Sequence, residues 1–365
     1  MSTTYHMIEY IHEGPEALQR TLEANEAAIR SVVARVREDG LQRVVVTGIG
    51  SSYTAAVMAA PAFRYHCPWP AYIMSAPELG YYAPRLVDVQ TLVVVVSRSG
   101  ERGAVVNALA DSLQRGAFGV AVTGVADSLL AQTAQLTLLT AEGPEITFPK
   151  TKSVIACAGL LMHLALALAG PEDKEAVERL RTLRSTPGMI MNTIQAVEPA
   201  LQALMPAISA HELVAVAGTG SNYGVAIEAA MKIQEAAYVS TRYDSLDGLL
   251  NGPVGALSDK WLVVLLITAH DLGLSKELLR VVRSLGAHSL CIHEPNLELE
   301  GLADHVLTLP APLDPLLAAL VYLPPLQLLA YYWTLARNMN PDAPTSMRAI
   351  LDAILPPGRE EPELR

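Results

Sequence analysis

Basic residues are in short supply in this chain: 26 Lys and Arg stand against 37 Asp and Glu, a formal net charge of −11 over 365 residues. Binding a phosphate backbone needs a basic field, so nucleic acid is not expected as a main partner. A single phosphate on a small molecule is a different matter, because local dipoles and one or two basic side chains can hold it in an acidic protein. Cysteine is scarce as well. Cys67, Cys157 and Cys291 are far apart and lack metal-site spacing, so reduced, buried thiols and no metal centre are expected. Residues 1–13 have neither the apolar core nor the cleavage pattern of a secretory leader, and a cytoplasmic location is the resulting expectation. Long unbroken apolar runs are also wanting. Residues 154–170 are short for a bilayer and run into Pro171-Glu172-Asp173-Lys174, and residues 316–335 are broken by Pro324-Pro325. Both are expected as buried helices, with no membrane partner. No low-complexity tract occurs before residues 356–362, which read as a mobile tail.

What the chain does have is Val93-Val94-Val95-Val96 running straight into Ser97-Arg98-Ser99-Gly100-Glu101. An unbroken β-branched run reads as a strand buried on both faces of a parallel sheet. Residues 102–113 follow a helical pattern, so the serines lie in the turn into a helix N-terminus. Free N–H groups and the helix dipole attract a phosphate there, and serine adds donors without bulk; a lone S-x-S-G serves equally well as an N-cap. Val44-Val45-Val46-Thr47-Gly48-Ile49-Gly50-Ser51-Ser52-Tyr53 has the same construction, and Val214-Ala215-Val216-Ala217-Gly218-Thr219-Gly220-Ser221-Asn222 repeats the glycine spacing. The chain therefore reads as two copies of one α/β unit, and its 51% hydrophobic content suffices for two cores.

Strands are expected near residues 43–47, 71–74, 91–97, 119–123 and 135–139, then near 213–217, 261–267, 289–292 and 305–309. A helix is expected over 16–39, and helices over 173–183 and 189–210 join the two units. This order predicts doubly wound parallel sheets with ligand at the carboxyl ends of strands, where the strand order reverses. The expected division is a helical segment at 1–40, α/β domains at 41–186 and 187–340, and a loop and tail at 341–365.

Gly50-Ser51-Ser52-Tyr53, Ser97-Arg98-Ser99-Gly100-Glu101, residues 145–153 and Ala229-Ala230-Met231-Lys232-Ile233-Gln234-Glu235 occur in an order that resembles the sugar isomerase (SIS) domain family. The likeness is greatest to the isomerase half of glutamine:fructose-6-phosphate aminotransferase and to stand-alone phosphosugar isomerases, aminosugar-6-phosphate deaminases and fructosamine-6-phosphate deglycases. It extends from Ile8-Glu9-Tyr10 to Asp342-Ala343-Pro344. The resemblance implies two tandem flavodoxin-like SIS domains, a sugar-phosphate substrate and no cofactor. It also implies Ser97, Ser99 and the position of Arg102 as phosphate ligands, with Ser51 and Ser52 near the sugar. Arg98 stands where an uncharged residue is usual and Arg102 where Thr is usual. Either arginine could grip the phosphate bidentately or be a solvent-facing charge. Glu78 matches a glutamate of the family and reads equally as a helix-start acid. Lys150, in Phe148-Pro149-Lys150-Thr151-Lys152-Ser153, stands where serine is usual and could contact phosphate or sugar oxygens.

Lys232 and Glu235 are three apart on a helix and share a face, as an ordinary ion pair also would. By resemblance Glu235 moves a proton between C1 and C2 of the sugar while Lys232 supports the site. Two departures stand against a complete aminotransferase chemistry. The ring-opening histidine of the family falls on Asn251, a catalytic candidate that can position a hydroxyl but cannot titrate. The imine-forming C-terminal lysine falls on Ala349, and the adjacent Arg348 cannot replace it. The sequence also presents no cysteine before Cys67 to serve a glutaminase. His270, at a strand end, is a further acid-base candidate. The expected activity is aldose-ketose isomerisation or aminosugar-6-phosphate deamination; deglycation and non-catalytic sugar-phosphate sensing are the alternatives. The apolar stretches 155–168 and 316–335, with the family's habit of lending the loop before Asn251-Gly252-Pro253 to a neighbour, imply a homodimer.

Overall fold

The valine runs at 44–46 and 93–96 become strands with no exposed residue at the centre of the first of two parallel sheets. The computed structural model describes residues 5–299, 301–344 and 346, and the chain divides into two compact units. The first comprises residues 14–143 and 152–187; the second comprises the described residues up to Glu13, residues 144–151 and those from Gly188 on.

Helices α1 (His6–Ala24) and α2 (Glu26–Glu38) precede β1 (Arg43–Gly48), α3 (Ser51–His66), β2 (Ala71–Ser75), a π-helical turn (Glu78–Tyr82) and β3 (Thr91–Val96). Then come α4 (Gly103–Gln114), β4 (Phe118–Thr123), α5 (Leu129–Thr133), β5 (Leu136–Leu139) and α6 (Lys152–Ala169). Helix α7 (Lys174–Ile208) leads to β6 (Leu213–Gly218), α8 (Ser221–Ala237), β7 (Ser240–Asp244), α9 (Leu246–Leu250) and β8 (Trp261–Ile267). The described elements end with α10 (Leu272–Ser284), β9 (His288–His293), β10 (His305–Thr308) and α11 (Ala319–Ala336).

The sheet orders are β2-β1-β3-β4-β5 and β7-β6-β8-β9-β10, with every pairing parallel. The two orders correspond strand for strand, and each reverses direction between its first and third strands. Those reversals, between β1 and β3 and between β6 and β8, are the places where an open α/β sheet takes a ligand. In the first unit Val45, Val93, Val95 and Ala121 pack with Leu79 of the π-helical turn and with Val105 and Leu109 of α4. In the second, Val263, Leu265 and Ile267 pack with Leu278, Leu279 and Val282 of α10.

Four local readings are corrected. The single helix expected over 16–39 starts earlier and divides at Asn25, whose buried amide donates to Thr21 O and Leu139 O and accepts from Leu139 N, completing the edge of β5. The helices expected over 173–183 and 189–210 are one 35-residue helix that runs through Pro187 and Gly188. Helix α11 likewise runs through Pro324 and Pro325. Proline forfeits a hydrogen bond there, yet Leu320, Val321, Tyr322, Leu323 and Leu326 are all essentially buried, and packing on every side outweighs the lost bond. Strand β7, Ser-Thr-Arg-Tyr-Asp, went unforeseen because it is a half-exposed edge strand with no apolar run.

Helix α6 is long and apolar enough to cross a bilayer, but 89% of it is buried inside the chain. It packs along α3, and α11 packs along α8. Most residues of α6 and α11 are thus buried inside the chain. Cys67, Cys157 and Cys291 are buried and form no disulfide, and burial pushes the Cys291 thiol up to about 12.

Candidate functional site

At the end of β1 the chain must turn sharply to enter α3. Gly50 adopts φ 58°, ψ −134°, a region that side chains avoid. A Cβ on Gly48 would approach Ser52 C and Val96 O at 3.0 Å, so a side chain there would press on the backbone of both turns. Ser51 and Ser52 follow, half-buried, at the head of α3. The neighbouring turn after β3 is fixed by its own bonds: Ser97 N donates to Val122 O, and Gly100 N donates to Ser97 Oγ at 3.2 Å. Gly100 has φ +67°, and a Cβ on it would strike Ser128 Oγ at 2.2 Å. Because β1 and β3 are paired, with Thr47 beside Val95, the two hydroxyl turns flank one strand-order reversal. Ser51, Ser52, Ser97 and Ser99 are therefore brought to one edge of the first unit's sheet.

The charged residues near these turns separate. Arg102 occupies the exposed N-cap of α4, an uncommon place for a cation, since the helix dipole there favours negative charge. Arg98 is only 13% exposed, and its Nε lies 3.5 Å from Oε1 of Glu142, itself 2% exposed. Glu78 opens the π-helical turn and is exposed; its N–H donates to Ser75 Oγ, and Ser75 is paired with Gly48. It thus lies at the same carboxyl edge, one strand further out.

In the second unit, β6 enters α8 through a turn of the same form, Gly220 having φ 61°, ψ −126°. Helix α8 is where the charges converge. Lys232 Nζ lies 2.5 Å from Glu235 Oε2 and 3.4 Å from Glu228 Oε1. The lysine side chain is 2% exposed, Glu228 is 0% and Glu235 is 24%, so one carboxylate is sealed in and the other faces outward. Burial alone would favour the neutral amine, but the charges of Glu235 and Glu228 outweigh it and hold Lys232 above the usual lysine range. Glu228 was not singled out from the sequence. Its position four residues before Lys232 was a readable signal, because i and i+4 share a helix face.

The remaining candidates have specific surroundings. Lys150 Nζ donates to Glu145 O and Thr147 O, each at 2.8 Å, and so ties together the loop in which it sits. Buried Glu145 accepts from Thr151 N and Thr151 Oγ1 in that loop. Asn251 is exposed at the end of α9 and donates its amide to Asp247 O at 2.8 Å. His270 is exposed in a short 3-10 turn after β8. Arg348, Ala349 and the tail at 356–362 lie outside the described residues.

Among the described residues no group of His, Cys, Asp and Glu could hold a metal ion. The SIS domain family model matches residues 41–167 and 208–337. Glutamine-fructose-6-phosphate aminotransferase (isomerizing) of Symbiobacterium thermophilum is 31% identical over 357 residues, covering 93% of this chain and 58% of that protein. The Thermococcus kodakarensis protein of the same name is 28% identical over 347 residues, covering 93% of this chain and 57% of its own length. This chain thus spans somewhat over half the length of these relatives. In fold it is similar to the C-terminal domain of glucosamine-fructose-6-phosphate aminotransferase from Francisella tularensis, with a TM-score of 0.85 at 21% identity over 94% of this chain and 99% of that one. The chain belongs to the SIS domain family.

Proposed function

We propose that this member of the SIS domain family is an enzyme of hexose-6-phosphate derivatives, acting as an aldose-ketose isomerase or an aminosugar-6-phosphate deaminase. Phosphate recognition is assigned to Ser51, Ser52, Ser97 and Ser99 of the first unit, with Arg102 as the exposed cation of the same turn. Their N–H and O–H donors favour a dianion without requiring a basic surface. Proton transfer is assigned to Glu235. A carboxylate can take a proton from the carbon beside a carbonyl and return it to the neighbouring carbon, the step shared by isomerisation and by deamination of a 2-amino sugar.

The observation that carries the reading is the Glu228-Lys232-Glu235 arrangement on α8. A surface ion pair would leave lysine in water, whereas here the ammonium is sealed between two carboxylates and only Glu235 keeps an outward face. Buried, charge-coupled groups of this kind are candidates for a functional site. The names of the curated relatives agree with an isomerising chemistry.

Asn251 in place of a titratable histidine favours a second reading, a sugar-phosphate sensor without turnover. One experiment separates the two. Hexose-6-phosphates and their 2-amino derivatives are incubated with the protein in heavy water, and deuterium at C1 and C2 and ammonia release are followed. Exchange or release is expected, falling at least about a hundredfold in Glu235→Gln with sugar-phosphate affinity retained. Equal turnover by the variant would remove Glu235 from the chemistry; binding with no turnover of any sugar would leave the sensor.

A further inference from the structure

Arg98 sits between the two serines assigned to phosphate, yet its side chain is directed elsewhere. Its carbonyl accepts from Gly124 N and from Thr123 Oγ1, each at 3.0 Å, which fastens the turn to the end of β4. The guanidinium then crosses that strand end to meet Glu142, three residues beyond β5. Gly124 makes the crossing possible, since a Cβ there would stand 2.4 Å from Glu142 Oε1. In the order β2-β1-β3-β4-β5 this direction leads away from the β1/β3 reversal, where the hydroxyl turns face each other.

The far end of the pair is anchored. Asn25 exchanges hydrogen bonds with the backbone of Leu139, Ala141 N donates to Thr21 Oγ1 at 2.9 Å, and Arg20 donates to the carbonyls of Ala141 and Glu142. Helix α1 and the Asn25 junction therefore hold the exit of β5, and that exit holds Glu142. A cation 13% exposed against a carboxylate 2% exposed is a poor choice for seizing a ligand from solvent, because both charges have already given up water for one another.

We propose that Arg98 and Glu142 form a strut across the ends of β3, β4 and β5, and that Arg98 is a positioning residue for Ser97 and Ser99 rather than a phosphate ligand. The effect on binding rests on the phosphate reading of those serines; the effect on the turn itself does not. The test is a double-mutant cycle with Arg98→Gln, Glu142→Gln and the two combined. Calorimetry compares a hexose-6-phosphate with the unphosphorylated sugar, and amide hydrogen exchange of residues 97–101 is measured without ligand.

As a strut, each single variant is expected to weaken phosphate-dependent affinity roughly tenfold and to speed exchange of those amides, with the double variant no worse than the poorer single. As a ligand, Arg98→Gln alone would lose affinity while Glu142→Gln would leave it unchanged or tighten it, and that result overturns the strut. Unaltered exchange in both single variants overturns it too. If wild type ignores the phosphate, the phosphate reading fails, and the exchange result still decides on the strut. Should a neutral variant not fold, Glu142→Asp keeps the charge and shortens its reach; faster exchange at 97–101 is expected, and wild-type exchange there would overturn the proposal.

Discussion

The two units share one turn and use it in different ways. Gly48 and Gly50 correspond to Gly218 and Gly220, the second glycines having nearly the same φ and ψ, and Ser52 corresponds to Asn222. In the first unit the turn after β1 leaves its hydroxyls half-exposed. In the second, Ser221 donates to Pro315 O at 2.9 Å and Ser221 and Asn222 are both 1% exposed. The turns after the third strands differ in the groups they carry, Ser97 being buried and Ser99 half-buried after β3 while Ala269 and His270 are exposed after β8. After β8, the N–H groups of Ala269 and Leu313 bond the carboxylate of Glu294, and Asp271 accepts from Thr268 N.

The helices differ in the opposite direction. Counting from Ser51 and Ser221, α3 places Met58, Ala62 and Tyr65 where α8 places Glu228, Lys232 and Glu235. One copy of the fold has half-exposed hydroxyls after its first strand and an apolar helix behind them, and the other a buried turn leading into a charged helix. Under the proposed function the duplicated scaffold divides recognition from chemistry, since strand ends and one helix face can change while the core is kept.

The largest expected effect tests the charged helix. Lys232→Met removes the cation from between two carboxylates, one of them fully buried, and should cost about 3–5 kcal/mol of unfolding free energy, because an unpaired charge remains in the interior. Adding Glu228→Gln should recover part of that loss. The check is denaturant unfolding of both variants. A loss within about 0.5 kcal/mol, as for an ordinary surface pair, would erase the contrast between α8 and α3.

Much of that contrast was legible beforehand, and the remainder was hidden for identifiable reasons. The valine runs, the glycine-bounded turns and the Lys232/Glu235 spacing announce two parallel sheets and a charged helix, because burial and turn geometry leave periodic or sterically necessary residues. The partner of Arg98 was not legible, since Glu142 is 44 residues away and meets it only once β4 and β5 are laid side by side. Helix α7 was divided at Pro187-Gly188 because local propensity argues for a break that packing overrides. The insertion of residues 144–151 into the second unit is a choice of topology that no local pattern encodes.

A smaller effect sharpens the contrast between the turns. Ser99→Ala in the open turn should weaken binding of a hexose-6-phosphate by about 1.5–3 kcal/mol, the range for a hydrogen bond to a charged group, while leaving the unphosphorylated sugar unaffected. Ser221→Ala in the closed turn should leave both affinities unaltered. Calorimetry on the two variants suffices, and equal losses would mean that the second turn also receives ligand.

The last expectation is that acid acts on the two units with opposite sign. His163 lies inside α6, 6% exposed, and its pKa is lowered to about 4, first by burial and then by Arg184; Glu26, ion-paired to Arg184, opposes the shift. With an unfolded value of about 6.5, the unfolded chain binds more protons between those limits. Stability of the first unit therefore falls as pH drops from 6.5 towards 4, by about 2 kcal/mol at pH 5 from this group. In the second unit, burial raises Asp271 and Glu294 above the ordinary carboxylate range, and Asp271 adds repulsion at Glu294. There the folded state binds more protons, so the cost of these two charges is relieved as pH falls through the raised values and is gone below the unfolded ones. Hydrogen exchange at pH 7 and pH 5, corrected for intrinsic rates, should show protection falling in β1, β3 and α6 while β8 and β9 hold or gain. His163→Leu should abolish the fall in the first unit. If the two units lose protection together, or the variant retains the full pH slope, the opposition of their buried charges is not what governs their acid response.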